Sequence, residues 1–129
     1  MTLLGTGIDI VNNNRFRSLL AKNKAPFKRK IFTKKEISYC DKKLNSVNLY
    51  SKRYAAKEAC SKALGIGLIK GIFWKDLEVV NDKYGKPYFV ISNKTKNKIK
   101  KIFKVNNFNI FLSMSDEKKY SIASVIISK

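Results

Sequence analysis

From Leu3 to Val11 the chain is apolar at nearly every position, broken by Gly5 and Gly7, a pattern that predicts a buried strand with Asp9 near its end. Asn12 to Asn14 then offer capping side chains for a helix that carries Phe16, Leu19 and Leu20 on one face. The segment KNKAPFKRK, polar and interrupted by proline, predicts a loop. Thr33-Lys34-Lys35-Glu36 is a capping-box pattern, and Ile37, Cys40 and Leu44 follow it at helical spacing, which predicts a second helix. A longer helix is expected from about Ser46. Its stripe of small apolar residues, Ala56, Cys60, Ala63 and Leu64, ends at Gly65 and Gly67, residues suited to a helix stop.

The period changes in the second half. Leu77 to Asn81, Tyr88 to Ser92, Asn109 to Ser115 and Tyr120 to Ile127 are rich in Val, Ile, Phe and Tyr and predict strands, with Asp82 to Pro87 as the turn of a hairpin. Between the second and third of these, Thr95, Ile99, Ile102 and Phe103 share one face of a helix whose other faces are lysine. The expected architecture is α+β: a single domain over residues 1–129, with a mostly antiparallel sheet packed against helices.

Composition narrows the chemistry. A chain of 129 residues with 44% hydrophobic positions can bury roughly two thirds of its unfolded surface and needs no disulfide or structural metal. It contains no histidine, which excludes Ser-His-Asp triads, HExxH zinc sites and imidazole acid–base catalysis. Cys40 and Cys60 stand apart, without the paired spacing of a zinc site or a disulfide scaffold, and point to a reducing compartment. No apolar run approaches the roughly 18 to 20 residues of a membrane span, and the first residues lack the charged region of a secretion signal, so a cytoplasmic protein without membrane contact is expected. The 28 Lys and Arg against 9 Asp and Glu give a net charge of +19, which implies polyanionic partners. A nucleic-acid-binding module is the competing class for such a charge. The basic residues are scattered and no nucleic-acid motif is present, so nucleic acid is not the expected partner.

Two of the few acids sit in apolar or small-residue settings, where an ionised carboxylate calls for a cation: Asp9 in the first strand and Glu58 in the long helix. Local sequence alone leaves alternatives open. Asp9 also fits a helix cap, and Glu58 also fits an i,i+4 ion pair with Lys62.

Gly7-Ile8-Asp9-Ile10-Val11 followed by Arg15, Phe32-Thr33 with Glu36, and Arg53-Tyr54-Ala55-Ala56-Lys57-Glu58-Ala59 with Lys62-Ala63-Leu64-Gly65 together resemble the holo-[acyl-carrier-protein] synthase family, small phosphopantetheinyl transferases. The resemblance continues in order through Trp74 to Val79, Gly85-Lys86-Pro87, Leu112 to Ser115, Tyr120 and Ala123, nearly the whole chain. It implies transfer of the phosphopantetheine arm of coenzyme A to a serine of acyl carrier protein, with Mg2+ held by Asp9 and Glu58. Mg2+ commonly takes one or two carboxylates together with phosphate oxygens and water, which suits that pair. Glu58, directly or through a metal-bound water, is then the acceptor of the serine proton, and Lys62 the group that stabilises the leaving phosphate. Arg53, Lys62, Gly85, Lys86, Pro87 and Ser113 are candidate coenzyme A contacts, with Gly85 also fitting a role in the turn alone. Arg15, Arg17 and Lys22 on the first helix would dock an acidic carrier protein. The family also implies a homotrimer with sites shared between neighbours. Two positions depart from the pattern: Asn12 stands where the family commonly has an acid, and Asp116 where it commonly has a histidine. Asp116 is given no role at the site, since an aspartate repels a pyrophosphate.

Overall fold

The structure, a computed structural model, describes residues 1–65 and 71–129. Its elements follow in the order β1 (Leu3–Asn12), α1 (Asn13–Ile31), α2 (Lys34–Asp41), α3 (Ser46–Leu64), a 3-10 turn (Trp74–Asp76), β2 (Glu78–Asn81), β3 (Pro87–Val90), α4 (Asn93–Phe103), β4 (Asn109–Asp116) and β5 (Tyr120–Ser128). All strand pairs are antiparallel. β5 lies between β1 and β4 in a three-stranded sheet, and β2 and β3 form a separate hairpin. The α+β architecture expected from the pattern is the one observed.

α3 lies across β1 and β5 and forms the centre of the core with Ala55, Ala56, Ala59, Cys60, Ala63, Val125 and Ile127. The two glycines of β1 make this approach possible: a Cβ on Gly7 would overlap the Ala59 carbonyl oxygen, and one on Gly5 that of Ala63. Small residues on both elements therefore bring α3 against the strand, and with it Glu58 toward Asp9. Gly65 ends the helix at φ 75°, in the left-handed conformation that a residue without Cβ adopts at little cost, while Gly67 lies outside the described residues.

A buried ion pair fixes the roll of α3 against α2 and the hairpin. Lys57 Nζ donates to Glu36 Oε1 at 2.8 Å and to the carbonyls of Trp74 and Leu77 at 2.9 Å each, and both side chains are fully enclosed. Glu36 also accepts the backbone N–H groups of Thr33 and Val79, so the capping-box acid of α2 ties three elements together. Burial pulls the Lys57 ammonium below its ordinary range, and Glu36 opposes that pull.

Two expectations need correction. KNKAPFKRK is helical rather than a loop: α1 breaks only at Lys24, with φ 51°, and Pro26 sits in the first turn after the break, where its missing N–H is no loss. Leu44 does not continue the apolar face of α2, which ends at Asp41 and leaves Leu44 exposed. Cys40 and Cys60 are free and buried, and burial pushes their thiols up to about 11 and about 12, so neither is a ready nucleophile.

Candidate active site

Asp9 and Glu58 line one cleft of about 360 Å³ with Asn12, Arg15, Phe16 and Tyr54. β1 supplies Asp9 from the side facing α3, and α3 supplies Glu58 and, one turn earlier, Tyr54. Asp9 does not cap α1. That role falls to Asn12, whose side-chain oxygen accepts the Arg15 N–H at 3.0 Å. Asn12 is therefore occupied as a cap at the position where the family pattern commonly has an acid.

Lys62 pairs with Asp9 rather than with Glu58. Its Nζ donates to Asp9 Oδ1 at 3.1 Å and to the Ile8 carbonyl at 2.9 Å, so it crosses from α3 to β1 instead of closing an i,i+4 pair along the helix. Glu58 is left at the cleft with Tyr54 as its neighbour. Burial raises the Glu58 carboxyl above its usual range; the Tyr54 hydroxyl works against that, Asp9 adds to it and Lys62 subtracts. Burial, followed by the Glu58 and Asp9 charges, pushes Tyr54 up to about 12, so its hydroxyl stays a proton donor at neutral pH. Tyr54 stacks on Trp74 at 5.1 Å and meets Phe16 at 5.2 Å, which fixes its ring. The sequence reading missed Tyr54; its place four residues before Glu58, on the same helical face, was the available signal.

Of the other predicted residues, Arg15 alone lines this cleft. Arg53, expected to meet a phosphate, is only 1% exposed. Its Nη2 donates to Asn81 Oδ1 at 2.6 Å, its guanidinium lies over Tyr39 at 4.6 Å, and Asn81 in turn donates to the Gly85 carbonyl at 2.9 Å. Arg53 braces the hairpin from beneath because the small residues that bring α3 into the core carry its neighbours inside as well. Gly85 turns the hairpin at φ 84°, and Asp82 accepts the Lys86 N–H, leaving the Lys86 side chain exposed beside Pro87. Ser113 is exposed on the face of the sheet away from α3, paired with Ser124 across β4 and β5, and so does not enter the Asp9–Glu58 cleft of its own chain. Arg15, Arg17 and Lys22 are exposed on α1, and Arg15 reaches the cleft. Asp116 is taken up by α3: it accepts Asn48 Nδ2 at 2.9 Å and pairs with Lys52 at 3.1 Å. Burial works to raise the Asp116 carboxyl, but Asn48 and Lys52 together hold it below the usual range.

Residues 5–124 match the 4'-phosphopantetheinyl transferase superfamily. The chain belongs to this superfamily. It is 50% identical over 129 residues to the holo-[acyl-carrier-protein] synthase of Pelagibacter ubique, covering 100% of this chain and 99% of that one. Among solved structures it is similar to the holo-[acyl-carrier-protein] synthase of Neisseria meningitidis, with TM-score 0.86 and 31% identity over 98% of this chain and 99% of the other. It is also similar to the Bacillus anthracis enzyme solved with CoA (3',5'-ADP), with TM-score 0.81 and 30% identity over 100% and 99%. As a member of the holo-[acyl-carrier-protein] synthase group of phosphopantetheinyl transferases, the chain is an enzyme. The ordered motifs that carried the resemblance fall within the matched span of this superfamily.

Proposed function

We propose that this chain transfers the 4'-phosphopantetheine arm of coenzyme A to a serine of an apo acyl carrier protein, in a Mg2+-dependent step that releases adenosine 3',5'-bisphosphate and supports fatty acid biosynthesis. The observation that carries this reading is the meeting of Asp9 and Glu58 in one cleft with Lys62 at its edge. Among the described residues no three His, Cys, Asp or Glu side chains gather. A pair of hard oxygen donors is nevertheless the protein share that Mg2+ takes when phosphates and water complete its shell. Asp9 and Glu58 would hold the ion, which when bound neutralises charge on the pyrophosphate.

The carrier serine attacks the β-phosphorus, forming the Oγ–P bond as the bond to the bridging oxygen breaks and charge moves onto the departing bisphosphate. Glu58, whose proton affinity is raised by burial, accepts the serine proton. Lys62 uses two N–H groups on Asp9 and Ile8 and has a third for an oxygen of the leaving phosphate. Lys86, on the turn that Arg53 braces, serves the remaining phosphates of coenzyme A, while Arg15 and Lys22 dock the acidic carrier.

Ser113 and the outer face of the sheet fit the homotrimer that the family implies. Ile8, Ile10, Phe111, Ile122 and Ile126 are exposed on that face, an apolar surface suited to contact with other copies. Ser113 would then reach the cofactor of a neighbouring chain. We assign this single-domain enzyme to the cytoplasm; no helix among the described residues is long and apolar enough to cross a membrane.

Mass spectrometry of an apo carrier protein incubated with coenzyme A, Mg2+ and this enzyme is expected to show the gain of one phosphopantetheine, lost in EDTA and restored by Mg2+. Undiminished activity in the chelator would overturn the metal role. Absence of any mass gain would overturn the transferase reading.

A further inference from the structure

A second cavity, about 760 Å³ and distinct from the catalytic cleft, lies among the second half of α1, α2 and the start of α3. Its wall is apolar where Leu20, Ile37, Val47 and the Tyr50 ring meet. Its volume falls within the roughly 300–1,000 Å³ of pockets that enclose small molecules. Basic side chains from α1 and α2 surround this apolar interior. Among them Lys24, Arg29 and Lys34 are exposed and have no acidic partner among the described residues.

The single carboxylate of the lining, Asp41, pairs with Lys28 and with none of these three cations. Asp41 accepts Lys28 Nζ at 3.1 Å and the Tyr50 hydroxyl at 2.6 Å. Those bonds hold Asp41 below its ordinary range, the Tyr50 hydroxyl contributing most, and Lys28 also lies over the Tyr50 ring at 4.9 Å. The break in α1 falls on the cavity wall. Lys24 adopts φ 51°, a backbone conformation that non-glycine residues seldom hold and that concentrates at functional sites. The segment after the break brings Lys28 and Arg29 to the same hollow that Leu20 and Ala21 line from before it. An apolar interior with uncompensated cations at its margin complements a molecule that is apolar along its length and anionic at one end.

We propose that this cavity binds a single-chain anionic amphiphile, its tail against Leu20, Ile37 and Val47 and its carboxylate or phosphate head among Lys24, Arg29 and Lys34. None of Asp9, Glu58 and Lys62 lines it, so the site is separate from the catalytic residues, although Arg17 of the expected carrier-docking set stands on its wall. The probes are dodecanoate and dodecyl phosphate, each titrated below its micelle concentration into the methyl-labelled enzyme and followed by NMR. Saturable shifts of the Leu20, Ile37 and Val47 methyls are expected, with one molecule bound per chain. The relative affinity of the two probes identifies the preferred head group, and dodecyl maltoside, uncharged, is expected to bind at least tenfold more weakly than either. Arg29→Glu with Lys34→Glu, both at exposed positions, should weaken the anionic probes by about tenfold to a hundredfold and leave the maltoside unchanged. Val47→Trp, which fills the cavity, should abolish the shifts. The proposal is overturned if no saturable shift occurs below the micelle concentration, or if the shifts map to Ile8 and Ile126 on the outer sheet face. Unchanged affinity in the charge-reversed variant also overturns it. Should an apo carrier protein move these methyls while neither amphiphile does, the cavity belongs to a protein-docking surface and the proposal fails.

Discussion

Lys62 and Glu58 sit one turn apart on α3 yet face different partners, and the difference sets what each does. Lys62 spans to Asp9 and the Ile8 carbonyl, and its side chain remains 55% exposed, so its ion pair contributes little to stability. Lys62→Met is accordingly expected to lower kcat by roughly ten- to a thousandfold, the range for losing one electrostatic contact to a transition state, while Tm changes little. Parallel turnover and melting measurements check this. With no metal bound, Glu58 holds its proton more tightly than an ordinary glutamate, burial being the main cause. In the metal-free enzyme the Glu58 carboxyl should therefore titrate above the normal glutamate range. Tyr54→Phe removes the hydroxyl that favours the ionised carboxylate and should raise the Glu58 carboxyl further, as carboxyl NMR titrations of the two metal-free enzymes would show. The linkage has the matching sign. Folding favours the protonated form of Glu58, so its contribution to stability declines as pH rises from the unfolded toward the folded pKa.

At the scale of elements, the Lys57–Glu36 pair fixes how α3 presents those side chains. Residue 57 points into the seam between α2 and the Trp74–Asp76 turn, and residue 58, about 100° further round, then faces β1 and the cleft. Lys57→Met would strand a fully buried carboxylate, and about 3–5 kcal/mol of stability should be lost. Adding Glu36→Gln, which removes the stranded charge and keeps a side-chain oxygen for one of the two N–H groups, Thr33 or Val79, that Oε1 and Oε2 now accept, should recover part of that loss. Urea unfolding of the single and double variants measures both changes. The same seam accounts for the placement of Arg53: once α3 is held at this roll, its guanidinium lies beneath the hairpin, bonded to Asn81, rather than at a phosphate.

Over the whole molecule, the sheet carries a core face against α3 and an outer face of exposed Ile and Phe side chains. An apolar surface of this kind marks an interaction site in a soluble protein. Ile126 stands on the central strand of that face, opposite Thr6 on one side and Phe111 on the other. If this face forms the proposed homotrimer, Ile126→Glu should reduce the mass in sedimentation from three chains to one by burying a charge in the contact, and turnover should fall with it if the cleft is completed by a neighbour. A variant that stays trimeric would place the contact elsewhere.

The sequence by itself determined most of the elements, because their signals are local. Apolar runs rich in Val, Ile, Phe and Tyr marked the strands, Thr33 and Glu36 marked the start of α2, and Gly65 marked the end of α3, each within a few residues of the structure it dictates. Pairing Asp9 with Glu58 was legible through the ordered motifs, and the Gly5–Gly7 and Ala59–Ala63 patterns that bring the two elements together are visible in the chain. Only the tertiary structure decided which partner each charged side chain takes. Lys62 could reach Glu58 along its helix or Asp9 across to the strand, and the close approach of α3 to β1 selects Asp9. Arg53 and Lys57 look like surface charges in a basic chain, yet both are enclosed, because burial depends on what packs over a helix face and not on the residues within it. Helical spacing likewise carried the expected face of α2 on to Leu44, whereas the helix stops at Asp41. The cavity at the break in α1 belongs to the same class: it exists only where Leu20, Ile37 and Val47, far apart in the chain, are folded against one another.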